Sequence, residues 1–202
     1  AITVNTAGGT PRIVLDIGGS TAYANYLSGS GTNSLAFRYT LQSGDLDTDG
    51  IGIATLDTNG GTLQNSSGND LDTTLNAVGS TAAILVDAVN PTVSSVTVPS
   101  AGRYVAGNNL DFTLNVSEIL TLNTGGGVPR IPLTLGSTTR YASYISGSGT
   151  ASLVFRYVVQ SGDEDTDGVT VAAAVDSNGG TLKDAAGNDL VTTLNAVGDT
   201  SA

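Results

Sequence analysis

The sequence has no cysteine, methionine, tryptophan or histidine, and Lys183 is its single lysine. The absence of cysteine excludes disulfide staples and thiolate metal sites, but does not by itself assign a compartment. Without histidine or cysteine, the usual acid–base and thiol nucleophile options of an enzyme are gone. Serine is plentiful, yet only Lys183 could act as its base. Paired carboxylates alone do not make a glycosidase without a cleft, and no segment suggests one. No apolar run approaches the roughly 20 residues of a membrane-spanning helix. The chain opens at Ala1 with no charged-then-apolar targeting segment, which reads as a mature product or an excerpt of a longer chain. The expectation is a protein that is not an enzyme.

Positive charge is also scarce. Eighteen acidic residues against seven basic ones leave a formal charge of −11. Such a surface repels phosphates and anionic lipid headgroups, so both are poor partners, and the expectation is no nucleic acid and no membrane insertion. The acidic groups serve either solubility or the binding of cations, and their arrangement has to separate the two.

What the sequence does have is a long internal repeat. Pro11-Arg12-Ile13 recurs as Pro129-Arg130-Ile131, and Ser28–Thr32 recurs as Ser146–Thr150, both at an offset of 118. Across positions 11–50, 27 of 40 residues are identical at that offset. One added residue then moves the offset to 119, aligning Asn59-Gly60-Gly61-Thr62-Leu63 with Asn178-Gly179-Gly180-Thr181-Leu182. A unit of this length exceeds the repeats of solenoids and propellers, so each copy is read as a domain, 1–87 and 88–202. The copies are unequal. The segment from about Val89 to Glu118 supplies two strands to the second copy, and its counterpart would precede residue 1. The first module is therefore expected to lack its opening two strands. Two readings follow: an excerpt from a longer array, or a subunit whose missing strands a neighbour donates.

Period-two alternation marks nearly every segment as a half-buried strand. Leu110, Phe112, Leu114 and Val116 alternate with polar residues. So do Leu153, Phe155, Tyr157 and Val159, and in the first copy Leu35, Phe37, Tyr39 and Leu41. Clusters of Gly, Asn, Asp and Ser separate these runs. Asp57 and Asp176, each just before Asn-Gly-Gly, read as hairpin turns. About seven or eight short strands per module predict an all-β fold of two tandem Ig-like β-sandwiches. Val86–Thr92 is the linker, stiffened by Pro91. Counting each strand as one crossing puts Ser161–Gly168 at the far pole of the second module. The same count brings Ser43–Gly50 to the linker end of the first.

Those two loops carry the candidate chemistry. Asp45-x-Asp47-x-Asp49-Gly50 and Asp163-x-Asp165-x-Asp167-Gly168 have the alternate carboxylates that open an EF-hand loop. Leu56 and Ala174 stand where the twelfth-position Glu would be and no helix flanks the loops, so an EF-hand is excluded. A calcium loop between strands remains, against the simpler reading of a solvated acidic turn. If calcium binds, Asp45, Asp47 and Asp49 meet Asp87 and Asn90 at the linker, with Glu118 arriving from the second module. Asp163, Asp165 and Asp167 would serve a further neighbour. Asn69-Asp70 and Asp184–Asp189 could bind cations or form tight turns, and the turn is the expectation because Gly-Asn and Asn-Asp suit left-handed geometry. Arg38 and Arg156 read as surface partners of nearby carboxylates, and one tyrosine of each pair, Tyr23/Tyr26 and Tyr141/Tyr144, reads as core.

Taken in order, Val116-Ser117-Glu118, Pro-Arg-Ile, Tyr-Ala-x-Tyr, Ser-Gly-Ser-Gly-Thr, Phe-Arg-Tyr, Gly-Asp-x-Asp-x-Asp-Gly, Asn-Gly-Gly-Thr-Leu and Ala-Gly-Asn-Asp resemble bacterial Ig-like tandem repeats of giant secreted surface adhesins. The resemblance spans the second copy and the first from its third strand onward. It implies spacer modules, secreted or at the bacterial cell surface, that extend a binding tip and are stiffened by calcium. The implied partners are neighbouring modules or identical subunits, with any host or surface ligand bound through other parts of the protein. The incomplete first copy departs from the pattern and keeps a self-assembling filament subunit open. A carbohydrate- or protein-binding module is the third reading.

Overall fold

Alternating aliphatic residues cannot bury their apolar side in a helix, and among the described residues there is none. The structure, a computed structural model, describes residues 1–201. The chain forms two compact units, Ala1–Val89 and the remainder from Asn90. The first contains β1 (Thr3–Asn5), β2 (Arg12–Ile17), β3 (Ser20–Ser28), β4 (Ala36–Arg38), β5 (Leu46–Asp47), β6 (Gly52–Asp57), β7 (Thr62–Gln64) and β8 (Val86–Asp87). The second contains β9 (Val93–Thr97), β10 (Asn109–Asn123), β11 (Arg130–Leu135), β12 (Thr138–Ser146), β13 (Thr150–Val158), β14 (Thr170–Val171) and β15 (Thr181–Lys183). Every pairing between these strands is antiparallel.

In the second unit the sheet runs β14-β11-β12-β13-β10-β15, with β9 also on β10. Alternation along β10 turns Leu110, Phe112, Leu114 and Val116 inward, where they pack with Leu153, Phe155 and Tyr157 of β13 and with Val93 and Val96 of β9. The strand does not end at Val116, as the sequence pattern suggests. A register shift after Asn115 lets it run on to Asn123, where Thr121–Asn123 pair with β15. One strand thus serves two ladders, an arrangement consistent with a β-sandwich. Glu118 consequently lies within a strand, on the side of the alternation that also carries Val116 and Leu120. The ladder directions in this unit agree with the crossing count from the sequence, and Asp163–Val169 lie beside Pro99–Val105 at one end.

The first unit repeats this plan in pieces. Its sheet runs β4-β3-β2-β6, and β1-β7 and β5-β8 form separate pairs. Register is kept between copies: Tyr26 faces Phe37 as Tyr144 faces Phe155, and Val4 faces Leu63 as Leu122 faces Leu182. The two Tyr–Phe pairs meet edge-on at 6.0 and 5.8 Å. The difference lies in β4. It has three residues where β13 has nine. Phe155 is fully buried at 0 %, while Phe37 is only half-buried. Val159 is 8 % exposed and its counterpart Leu41 is 52 % exposed. β13 has β10 along its second edge; β4 has no strand there among the described residues.

The Asn-Gly turns follow their chemistry but not the expected pairing. Asn59 and Gly60 both take positive φ, 50° and 83°, and Gly61 N–H donates to the Thr58 carbonyl at 2.8 Å, as a type I′ turn requires. A hairpin was expected, yet β6 pairs with β2 and β7 with β1, so the turn passes the chain between sheets. Asp57 is drawn to β2 instead, facing Arg12 and accepting its Nε–H at 2.9 Å.

Candidate functional site

In the first unit the Asp45–Gly50 loop is held by the backbone. Gly44 N–H donates to Ala88 O and Ala88 N–H to Asp45 O, both at 2.8 Å, and β5 pairs with β8. The loop therefore lies against Val86–Ala88, but the carboxylates do not converge. Leu46 faces Asp87 and Asp47 faces Val86, so strand alternation places Asp47 and Asp87 on opposite faces of that ladder. Asp45 accepts the Tyr39 hydroxyl and Gln42 N–H, each at 2.7 Å. That bond to the Asp45 carboxylate raises the Tyr39 pKa. Asp47 is 3 % exposed and accepts N–H groups of Gly18 at 2.8 Å, Gly50 at 2.6 Å and Asp49 at 3.2 Å. These donors, Gly18 foremost, hold its carboxyl below the usual range. Asp49 is exposed.

The second loop has a different charge balance. Asp163 accepts two N–H groups of Arg140, at 3.0 and 2.8 Å, together with Gln160 N–H and the Tyr157 hydroxyl. Burial pushes its carboxyl up, but the bonds from Tyr157, Gln160 and Arg140 outweigh this and hold it low. The first copy has Ala22 at the position of Arg140. Asp165 accepts Gly136 N–H at 2.7 Å and Gly168 N–H at 2.6 Å, and Asp167 is exposed. A carboxylate already neutralised by arginine has less to offer a cation, so loops alike in sequence differ in the surroundings of their first aspartate.

A carboxylate pair that the sequence reading did not join lies elsewhere in the second unit. Glu118 of β10 and Asp184, just after β15, bring carboxylate oxygens within 4.8 Å of each other. Asp184 is 6 % exposed and makes the expected tight turn, accepting Gly187 N–H at 2.7 Å and Asn188 N–H at 2.8 Å. Burial again pushes its carboxyl up, and the Asn188 side chain and these N–H groups more than offset it. The turn does not need the charge. In the first copy Asn65 accepts the Ser67 and Asn69 N–H groups in the same way, at 2.9 and 3.0 Å. Two nearby acids, one of them buried, can hold part of a cation's oxygen shell. Asp87, at the end of β8, accepts Val89 N–H at 3.2 Å. Asn90 donates its side-chain amide to the Asp189 carbonyl at 2.7 Å.

Arg12, Arg130, Arg140, Arg156 and Lys183 are paired with acids, and Arg12 and Arg130 also lie over rings. Arg12 lies 3.9 Å from the Tyr23 ring centroid while bonding Asp57, and Arg130 repeats this with Tyr141, at 3.9 Å, and Asp176. The carboxyls of Asp111, beside Arg156, of Asp176, beside Arg130, and of Asp163 and Asp184 all lie below their ordinary value. Groups depressed in the folded state contribute stability above the unfolded carboxyl pKa, about 3.9, and that contribution is lost as pH falls through the folded values. The melting temperature is thus expected to be level between about pH 7 and pH 5 and to fall below about pH 4. Circular-dichroism melts across this range test it; a melting temperature unchanged at about pH 2 contradicts it.

No family model, curated protein or solved structure matches the chain.

Proposed function

We propose that the chain is a structural extender without enzymatic activity: Ig-like modules of a secreted or cell-surface bacterial adhesin, stiffened by calcium at module junctions. The observation that carries this reading is that one module is built twice with the same register and turns, while its buried polar groups serve turns and ion pairs. The calcium part draws on the Glu118–Asp184 pair, a site for which the turn itself gives no reason.

Thermal melting in about 10 mM calcium and in EDTA tests the metal. With the affinity of extracellular calcium modules, on the order of 0.1–1 mM, calcium should stabilise by about 1.4–2.7 kcal/mol. Asp184→Asn, which keeps the turn as Asn65 does, should abolish the calcium-dependent part alone. Equal melting temperatures in calcium and EDTA would remove calcium from the proposal.

We keep as a second reading a filament subunit completed by strands from a neighbour, which would cover the half-buried Leu35, Phe37 and Tyr39 and the exposed Leu41 of the first unit.

A further inference from the structure

Asn59 and Asn178 are the two asparagines followed by glycine, and both are exposed, on turns of the same build. Asn178 and Gly179 take φ of 49° and 85°, beside 50° and 83° at Asn59 and Gly60. Gly180 N–H donates to Ser177 O at 2.8 Å, as Gly61 N–H does to Thr58 O. The Asn59 side-chain amide donates to Thr10 O at 3.2 Å, and that of Asn178 to Val128 O at 3.1 Å. The backbone N–H groups of the two asparagines are held as well, by Asp57 at 2.8 Å and by Asp176 at 2.9 Å.

An Asn-Gly pair carries its own reaction. The glycine amide nitrogen gives its proton to a base in solvent and attacks the asparagine Cγ. An N–Cγ bond forms, the Cγ–Nδ2 bond breaks, and ammonia leaves a five-membered succinimide. Water then opens the ring, either to aspartate or, with the main chain rerouted through the side chain, to isoaspartate. Glycine permits the attack because it has no side chain to crowd it. The folded turn does not permit it. Ring closure needs Gly60 N to eclipse Asn59 Cβ, whereas a type I′ turn sets ψ of Asn59 at about +30° and so puts the two almost on opposite sides of the Cα–C bond. The Thr10 and Val128 carbonyls also fix the amides that would have to swing round.

The turns have no room for the rerouted product either. Each packs backbone to backbone on a second glycine pair. A Cβ on Gly9 would stand 1.8 Å from Asn59 O, and one on Gly8 would stand 2.2 Å from Gly60 O. Gly127 and Gly126 repeat these approaches, at 1.8 Å from Asn178 O and 2.1 Å from Gly179 O. Isoaspartate adds a methylene to the main chain and displaces the carbonyls that fit there. We infer that Asn59 and Asn178 are modification sites, one in each unit, closed to cyclisation while the unit is folded and open when it unfolds. Isoaspartate formed at either site then keeps that unit from refolding. The inference stands apart from the extender reading.

The test ages the full chain in mildly alkaline buffer, with and without guanidinium chloride. Asn59 and Asn178 are followed separately by peptide mass, with fragmentation that separates aspartate from isoaspartate. Both sites should convert in denaturant, and at least about tenfold more slowly in the folded chain, since only the open fraction reacts. Asn59→Gln should remove the fast conversion from its own peptide and leave that of Asn178 unchanged. Chains aged in denaturant are then refolded by dilution and challenged with protease. Isoaspartate at either site should be depleted at least about tenfold from the units that survive. Equal rates in the folded and denatured chain overturn protection by the turn, and no conversion in denaturant overturns the sites themselves. Isoaspartate kept in protease-resistant units at its share of the aged pool overturns the block to refolding.

Discussion

Phe155→Ala is expected to destabilise the second unit by about 3–5 kcal/mol, whereas Phe37→Ala should cost the first unit about 1 kcal/mol. The two phenylalanines sit in the same local sequence, Phe-Arg-Tyr, and face equivalent tyrosines across equivalent ladders. Their difference lies on the other edge. Phe155 is covered by Phe112 of β10 and is fully buried, so its removal leaves a cavity between two sheet neighbours. Phe37 already meets solvent, so water fills the space that truncation opens. Hydrogen exchange resolved to β13 and β4 measures each unit separately. Equal losses at the two sites would mean that Phe37 is as well packed as Phe155.

Gly50→Ala is expected to cost at least about 2 kcal/mol, from a collision added to backbone strain. Gly50 has φ of +105°, a conformation that L residues rarely adopt. A Cβ there would lie 2.5 Å from Ala82 Cα and 2.6 Å from the Thr81 carbonyl oxygen. Those are backbone atoms, and Ile84 N–H bonded to Thr81 O at 2.8 Å leaves them little room to yield. The control is Gly44→Ala. Gly44 has φ of +93°, but a Cβ there meets nothing within 4 Å. It should carry the conformational cost alone, about 1 kcal/mol. Paired urea denaturation curves separate the two terms. Identical losses would show that Thr81–Ala82 moves aside, so that the acidic loop is not braced there.

Much of the strand layout was legible because alternation is a local property. Leu110–Val116 and Leu153–Val159 announce their inward faces without reference to any partner. The I′ turn at Asn59-Gly60 was legible for the same reason, since positive φ is written into those residue types. Its outcome was not, because Arg12, far away in the chain, draws Asp57 onto β2. The acidic loops misdirect in a similar way. Alternate Asp residues mark carboxylates close in the chain, but Asp47 spends its oxygens on N–H groups that include Gly18, and Asp163 meets Arg140. The alternation of Leu110–Val116 places Glu118 at the end of its strand. The bulge after Asn115 carries that strand onward and brings Glu118 to Asp184, a pairing that no local pattern contains.

By itself, the sequence determined an all-β chain, a duplicated unit and turns at Gly, Asn and Asp, because periodicity and φ preference act over a few residues. Tertiary structure decided which copies of those residues are buried. Leu153, Phe155 and Tyr157 lie under β10, while Leu35, Phe37 and Tyr39, with the same alternation, are left half-covered. Burial belongs to a strand and its neighbour together, and only the folded chain shows which neighbour is there.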